Sequence, residues 1–222
     1  LLIRHTFAWM WLYEDNHLLA LNKPAGLLSQ SDSTGNPDVL TRAKQYIKEK
    51  YNKPGNVYVG LVHRLDRPTS GAMILARTSK AARRLSHIFR HRQITKRYIA
   101  IVEGELSGSG VMEDYLIKEA DRAYVRQTGK LAILKWEAVK YSRNFTVVEV
   151  KLISGRAHQI RCQLSHRGYP VLGDIRYGAR QVIGEHDCIA LHCASLCFQH
   201  PVQKKSMEID ATTPEYWNRF LK

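Results

Sequence analysis

The chain has 222 residues, 44% of them apolar, an ordinary share for a globular protein. A chain of this size buries roughly 70–75% of its unfolded surface, so its core requires neither disulfides nor a structural metal. Thirty-four Lys and Arg against 20 Asp and Glu leave a net charge of +14 with His neutral, and a surface this basic favours a polyanionic partner, nucleic acid foremost.

No run of about 18 apolar residues exists, so no membrane-spanning helix is expected. The opening LLIRHTFAWMWL is interrupted by Arg4 and His5 and lacks the basic segment and cleavage site of a signal peptide; it reads as a terminal arm. His17 to Leu21 is a short apolar run that stops at the turn signal Lys23-Pro24-Ala25-Gly26. Asp38 can cap a helix to about Tyr51, with Val39, Leu40, Ala43, Tyr46 and Ile47 on one face. Val57 to Val62 and Ala72 to Arg77 read as strands around an unusual turn, residues 63–71. Ser79 caps a second predicted helix to about His91, with Ala82, Leu85, Ile88 and Phe89 apolar. Arg97 to Glu103 is a predicted strand, and residues 113–153 a series of strands. Within that series Lys135–Tyr141 and Phe145–Leu152 form a hairpin around Ser142-Arg143-Asn144. A helix over 157–167, a strand over Ile189–Phe198 and a closing helix over Thr213–Leu221 complete the pattern. Strands dominate without strict alternation with helices, which predicts an α+β fold with a mostly antiparallel mixed sheet and flanking helices. The expected organisation is one domain, residues 1–222.

Four cysteines stand at 162, 188, 193 and 197, with no CxxC pair. His192 beside Cys193 and Cys197 invites a zinc reading, but the spacing fits poorly, and free buried thiols are the better account.

Three clusters carry chemistry. The segment Leu61-Val62-His63-Arg64-Leu65-Asp66-Arg67-Pro68-Thr69-Ser70-Gly71 packs His and two Arg around one carboxylate between apolar strands. Arginines favour the anionic form of Asp66, and Thr69 and Ser70 can cap local backbone groups. An anionic carboxylate in a rigid loop can attack or stabilise an electron-poor carbon. A salt-bridged turn accounts for this segment equally well. The second cluster, Ser154-Gly155-Arg156-Ala157-His158-Gln159-Ile160-Arg161, ends a strand and starts a helix, placing Arg161 where it can reach a carboxylate from elsewhere. Solvated helix charges are the plainer reading of Arg156 and Arg161. The third is Lys96-Arg97-Tyr98 at a strand start. Tyr98 can stack on a base for about 1–3 kcal/mol, although a strand tyrosine more commonly packs in the core.

Together these blocks resemble the RluA-type pseudouridine synthase family. His63-Arg64-Leu65-Asp66 followed by Thr69-Ser70-Gly71 resembles its HRLDxxTSG signature. Asn22-Lys23-Pro24-Ala25-Gly26 is similar to its first motif, and Lys96-Arg97-Tyr98 to its tyrosine motif. Gly155-Arg156-Ala157-His158-Gln159-Ile160-Arg161, with Gly168 to Asp174 beyond it, resembles its GRTHQIR…GHPIxGD block. Leu191-His192 and Phe198-Gln199-His200-Pro201 resemble the closing strand. The blocks are long, in the family's order, and cover nearly all of residues 17–210.

The resemblance implies a pseudouridine synthase catalytic fold with a basic active-site cleft. It implies Asp66 as the catalytic residue, Arg161 as its ion-pair partner, Tyr98 as the base-stacking ring, and Arg64 as the side chain that helps hold a flipped nucleotide. Lys23, His63, Gly155 and Ile160 are supporting positions. The uridine is flipped out of the RNA at a cost of a few kcal/mol, its N1–C1′ bond is cleaved, the uracil rotates, and C5 joins C1′. Attack on the sugar, attack on the base and removal of a 2′ proton all remain open as the role of Asp66. No cofactor and no metal are implied. Partners are RNA, either rRNA or tRNA, with no DNA and no membrane, and the expected state is a cytoplasmic monomer. Ala157 replaces the family's usual Thr or Ser; that side chain can cap the helix, a contribution of about 0.5–2 kcal/mol, and Ser154 is expected to compensate. About sixteen residues precede the first motif, so a separate N-terminal RNA-binding domain is not expected.

A non-catalytic RNA-binding or ribosome-assembly protein with the same fold explains the charge but gives no reason for Asp66, Tyr98 and Arg161 together. A glycoside hydrolase needs paired carboxylates, and none accompanies Asp66 in its motif.

Overall fold

The computed structural model describes residues 10–184 and 188–221. These fall into two units: the described residues up to Ile94 with Ser195–Thr212, and Thr95–Ala194 with the described residues from Thr213 onward.

In the first unit β1 (Trp11–Glu14) pairs antiparallel with β2 (Leu18–Lys23). After α1 (Val39–Lys50) and the two-residue β3 (Gly60–Leu61) comes β4 (Ser70–Ala76), every residue of which is buried. β2 and β4 are antiparallel, with Leu18 opposite Ala76 and Lys23 opposite Gly71. Their unbroken apolar runs are those of strands covered on both faces. α2 (Ser79–Arg90) follows, burying Ala81, Leu85 and Ile88. A fully buried leucine or isoleucine contributes about 1.5–3 kcal/mol by leaving water.

Several boundaries differ from the sequence expectation. The expected terminal arm lies mostly outside the described residues, but its described end is a strand. Trp11 stacks on Tyr46 of α1 with centroids 4.6 Å apart, and Met10 is fully buried. Asp38 caps α1 as expected, its Oδ1 accepting the Thr41 amide at 3.0 Å. α2 is capped by Thr78, not Ser79, because Thr78 keeps extended backbone and its Oγ1 accepts the Ala81 amide at 3.1 Å.

In the second unit β5 (Ile94–Glu103), β6 (Ser109–Glu119), β7 (Arg122–Val125), β8 (Lys130–Tyr141) and β9 (Phe145–Leu152) run antiparallel in the spatial order β5-β9-β8-β6-β7. The predicted hairpin between β8 and β9 is present, closed by the Ser142 amide on the Phe145 carbonyl at 2.8 Å. α3 (Gln159–His166) packs on β6 and β7, where Cys162 joins Leu116, Ala123, Ala132 and Tyr177 in a small core. In the first unit, the end of β10 (Leu191–Gln199) forms a hairpin with β11 (Ser206–Asp210) that the sequence pattern did not suggest; five residues of alternation are too few to stand out. A 3-10 turn (Glu215–Trp217) and the short α4 (Asn218–Leu221) replace the single closing helix expected from Thr213. Pro214 disfavours helical backbone in the residue before it. The fold is α+β with a mostly antiparallel sheet, as the sequence predicts. Among the described residues no helix is long and apolar enough to cross a membrane.

Candidate active site

The loop from β3 to β4 carries Asp66 and is pinned on both sides of it. Asp66 is half-buried, and its carbonyl accepts the Thr69 amide at 3.0 Å, closing a turn. One hydroxyl clamps the preceding residue: Ser29 Oγ donates to the Leu65 carbonyl at 2.7 Å and accepts the Leu65 amide at 3.2 Å. The Arg67 carbonyl after Asp66 accepts the Gly26 amide at 2.9 Å and Lys23 Nζ at 3.1 Å. Lys23 is 0% exposed, and its ammonium also donates to the carbonyls of Pro24 and Leu27, at 3.0 and 2.7 Å. Three carbonyls match the three N–H donors of an ammonium, so Lys23 ties the 24–27 turn to the Asp66 loop. Gly26, at φ 82°, supplies that turn's left-handed residue without steric cost.

The three basic residues of the motif have different parts. His63 Nε2 accepts the Ile74 amide at 2.9 Å, and a nitrogen that accepts carries no proton, so this ring is neutral. It stacks on Phe89 of α2, centroids 4.5 Å apart. Arg67 Nε donates to the Gly26 carbonyl at 3.2 Å. Arg64 is exposed and has no ion-pair partner among the described residues. Thr69 does not cap a backbone group as expected. Its hydroxyl is buried without a hydrogen-bond partner among the described residues, the turn's amide being already taken by the Asp66 carbonyl.

In the second unit, Arg161 lies in the first turn of α3 and is buried. Its Nε meets Asp174 Oδ2 at 2.6 Å and its Nη2 meets Oδ1 at 2.9 Å, while its guanidinium lies 4.9 Å from the Tyr177 ring centroid. His158, the residue before α3, is left-handed at φ 52°, and its Nδ1 lies 2.9 Å from the Tyr177 hydroxyl. That hydroxyl also accepts the Ala123 amide at 2.7 Å, and burial pushes it up to about 12, so it stays protonated. With His158 at the cap, Ala157 is not the capping position, and Ser154 does not compensate for it. The Ser154 hydroxyl accepts the Ile133 amide and donates to Gln159 Oε1, both at 2.8 Å. Gln159 Oε1 also accepts the Arg156 amide at 3.0 Å.

Tyr98 is 8% exposed, opposite Val150 on β9, and its side chain hydrogen-bonds Cys193. A Cβ at Gly155 would come within 3.0 Å of Lys96 Nζ, so glycine leaves room for that ammonium. Ile160 is buried beside Arg161 in sequence.

A family model described as RNA pseudouridylate synthase matches residues 17–166. The chain belongs to the RluA-type RNA pseudouridine synthase family. Ribosomal large subunit pseudouridine synthase D of Yersinia pestis is 33% identical over 221 residues, covering 92% of this chain and 67% of its own. Ribosomal large subunit pseudouridine synthase C of Buchnera aphidicola subsp. Baizongia pistaciae is 33% identical over 226 residues, covering 96% and 70%. The fold is that of the human RNA Pseudouridylate Synthase Domain Containing 4, with a TM-score of 0.78 at 22% identity over 94% of this chain and 90% of that one. The protein is thus an isomerase acting on RNA.

Two thiols of this synthase, Cys162 and Cys193, are buried, while Cys188 and Cys197 are half-buried. Burial pushes Cys193 up to about 12 and Cys162 up to about 11, so both stay protonated at neutral pH. Among the described residues no group of three His, Cys, Asp or Glu could hold a metal ion. Three residues that anchor these side chains, Asp174, Ser29 and Tyr177, have no role assigned from the sequence. Asp174 closes the Gly168–Asp174 block and was legible there. Ser29 and Tyr177 carry no local signal, because each acts on backbone groups distant in the chain.

Proposed function

We propose that this synthase isomerises uridines of ribosomal RNA, with Asp66 as the catalytic residue. The observation that carries the reading is the frame around Asp66: Ser29 on one side, and Lys23 with Gly26 on the other, fix both flanking residues through main-chain bonds. Such anchoring holds the loop that carries the carboxylate in one geometry. Arg161 is the cationic partner that the family motif assigns to Asp66. Exposed Arg64 fills the space that the flipped uridine leaves, which offsets part of the few kcal/mol of unstacking. Tyr98 stacks on the uracil. Ribosomal RNA is favoured over tRNA by the names of the relatives cited above, each given for the large ribosomal subunit. The enzyme is read as a cytoplasmic monomer that needs no cofactor.

Isomerisation replaces the C5–H bond of uracil with a C5–C1′ bond, so tritium placed at C5 passes to water. Large-subunit rRNA, small-subunit rRNA and tRNA so labelled are incubated separately with the wild type and with Asp66→Ala. Release from large-subunit rRNA that Asp66→Ala abolishes is the expected result. Release confined to tRNA rejects the substrate, and release that survives Asp66→Ala rejects the catalytic assignment.

A further inference from the structure

Between Asp66 and Glu103 the sequence has no acidic residue, yet it holds nine of the 34 Lys and Arg. Five of the nine lie on or just past α2. Lys80, Arg83, Arg84, His87, Arg90 and His91 recur at helical spacing and share one face, opposite the buried Ala81, Leu85 and Ile88. Lys80, Arg83, His87, Arg90, His91 and Arg92 are exposed. His87 and His91 stack at 3.8 Å on this same face. Arg84 donates to the Pro201 carbonyl at 3.0 Å, which brings the loop between β10 and β11, with exposed Lys204 and Lys205, against the helix.

No acidic residue lies on α2 or anywhere between Asp66 and Glu103, whereas four surface cations off the helix are paired: Lys50 with Glu14, Arg97 with Glu149, Arg167 with Asp114, and Arg176 with Asp121. Lys80, Arg83, Arg84, Arg90, Arg92, Lys204 and Lys205 have no ion-pair partner among the described residues. Parallel unneutralised cations repel one another, an arrangement that a bound polyanion relieves. The row from Lys80 to Arg90 runs about 15 Å at the helical rise. That matches about four nucleotides of a helical strand. The ridge is also joined to the catalytic loop, since Phe89 of α2 stacks on His63, three residues before Asp66.

We propose that the exposed face of α2, extended by Lys204 and Lys205, is the docking surface for the phosphate backbone of the substrate RNA flanking the target uridine. The proposal rests on the reading of the chain as an enzyme of RNA. Phosphate contacts position the RNA without reading its sequence, so the ridge contributes affinity and leaves the chemical step alone.

The test compares three triple variants with the wild type by RNA binding over a range of salt and by tritium release. Lys80→Gln/Arg83→Gln/Arg90→Gln removes three charges from the ridge. Lys118→Gln/Arg143→Gln/Arg176→Gln removes three exposed charges from the second unit. Lys80→Arg/Arg83→Lys/Arg90→Lys keeps the ridge charge. The ridge triple is expected to bind at least tenfold more weakly at moderate salt, with the slope of log affinity on log salt reduced by about 1 per lost contact. KM rises and kcat holds. The charge-keeping triple stays near wild type, and thermal melts of all three check folding. A loss in the ridge triple no greater than in the control triple, or an unchanged salt slope, overturns the proposal. Such a result leaves the wild-type tritium release intact; an inactive wild type would instead reject the reading of the enzyme while the salt slopes still report on the ridge.

Discussion

Arg161 and Asp174 form a two-pronged pair with side chains only 5% and 1% exposed, joined Nε to Oδ2 at 2.6 Å and Nη2 to Oδ1 at 2.9 Å. The flat guanidinium and the carboxylate can meet in this register only if both are held, and Asp174 is held by its amide on the Val171 carbonyl at 2.9 Å. Asp174 thereby sets the plane of Arg161. Asp174→Ala removes one partner of a buried pair and leaves an uncompensated guanidinium, which costs about 3–5 kcal/mol. Urea denaturation is expected to show that loss. Asp174→Asn keeps one acceptor oxygen and is expected to lose less stability, while still lowering kcat because Arg161 is no longer gripped at both nitrogens. A variant equal to wild type in both kcat and stability would remove Asp174 from the site.

Lys23 is the corresponding element in the first unit. Its ammonium bonds three carbonyls from a fully buried position, so Lys23→Met keeps the stem, strands the carbonyls of Pro24 and Leu27, and takes one of two donors from that of Arg67. A bond to a charged group contributes about 1.5–3 kcal/mol, and Gly26 still serves the Arg67 carbonyl, so the expected total loss is about 3 kcal/mol. Turnover should fall further than stability predicts, since the Asp66 loop loses a tether. Single-turnover rates at a temperature where both proteins are fully folded check this.

The elements that were legible in the sequence are those whose signals are local. Asp38 before an amphipathic run gave α1, and Ser142-Arg143-Asn144 between alternating segments gave a hairpin. The motif blocks named Asp66, Arg161 and Tyr98 as candidates. What escaped depends on contacts between distant positions. Ser29 touches Leu65 from 36 residues away, and Tyr177 reaches the Ala123 amide from 54. His63 looked like a cation beside Asp66, and only the bond from the Ile74 amide reveals a neutral ring. Ala157 looked like a lost cap, and only the left-handed backbone of His158 shows that the cap lies one residue later.

Glu14 makes a prediction about acid. Burial pushes its carboxyl up, but bonds from Lys50, Tyr51 and Tyr46 outweigh burial and hold it below its ordinary 4.5. Arg77 Nη1 lies 2.9 Å away as well. A carboxyl whose value is lower in the folded chain than in the unfolded one stabilises the fold above the unfolded value, and that stabilisation is lost as pH falls through the folded value. The difference in unfolding free energy between wild type and Glu14→Gln is therefore expected to be flat above about pH 5.5 and to shrink steadily below 4.5. A difference that stays constant down to the acid transition would mean that the Glu14 charge contributes nothing.

Tyr98 separates a ring from a hydroxyl. The side chain is 8% exposed and bonded to Cys193, so a simple truncation would confuse catalysis with packing. Tyr98→Ala opens a cavity costing about 3–5 kcal/mol, enough to unfold part of the population. Tyr98→Phe keeps the ring and loses one hydrogen bond, about 0.5–1.5 kcal/mol. Tyr98→Leu keeps much of the apolar volume and loses the aromatic face. If the ring stacks on the uracil, Tyr98→Phe retains turnover within a few fold, and Tyr98→Leu loses it at least a hundredfold. RNA affinity hardly moves in either, because one stacked base, about 1–3 kcal/mol, is small beside the phosphate contribution. Tritium release and filter binding on the same preparations decide the matter. Equal loss in both variants would assign the role to the hydroxyl, and loss of affinity parallel to turnover would place Tyr98 in binding rather than in the chemical step.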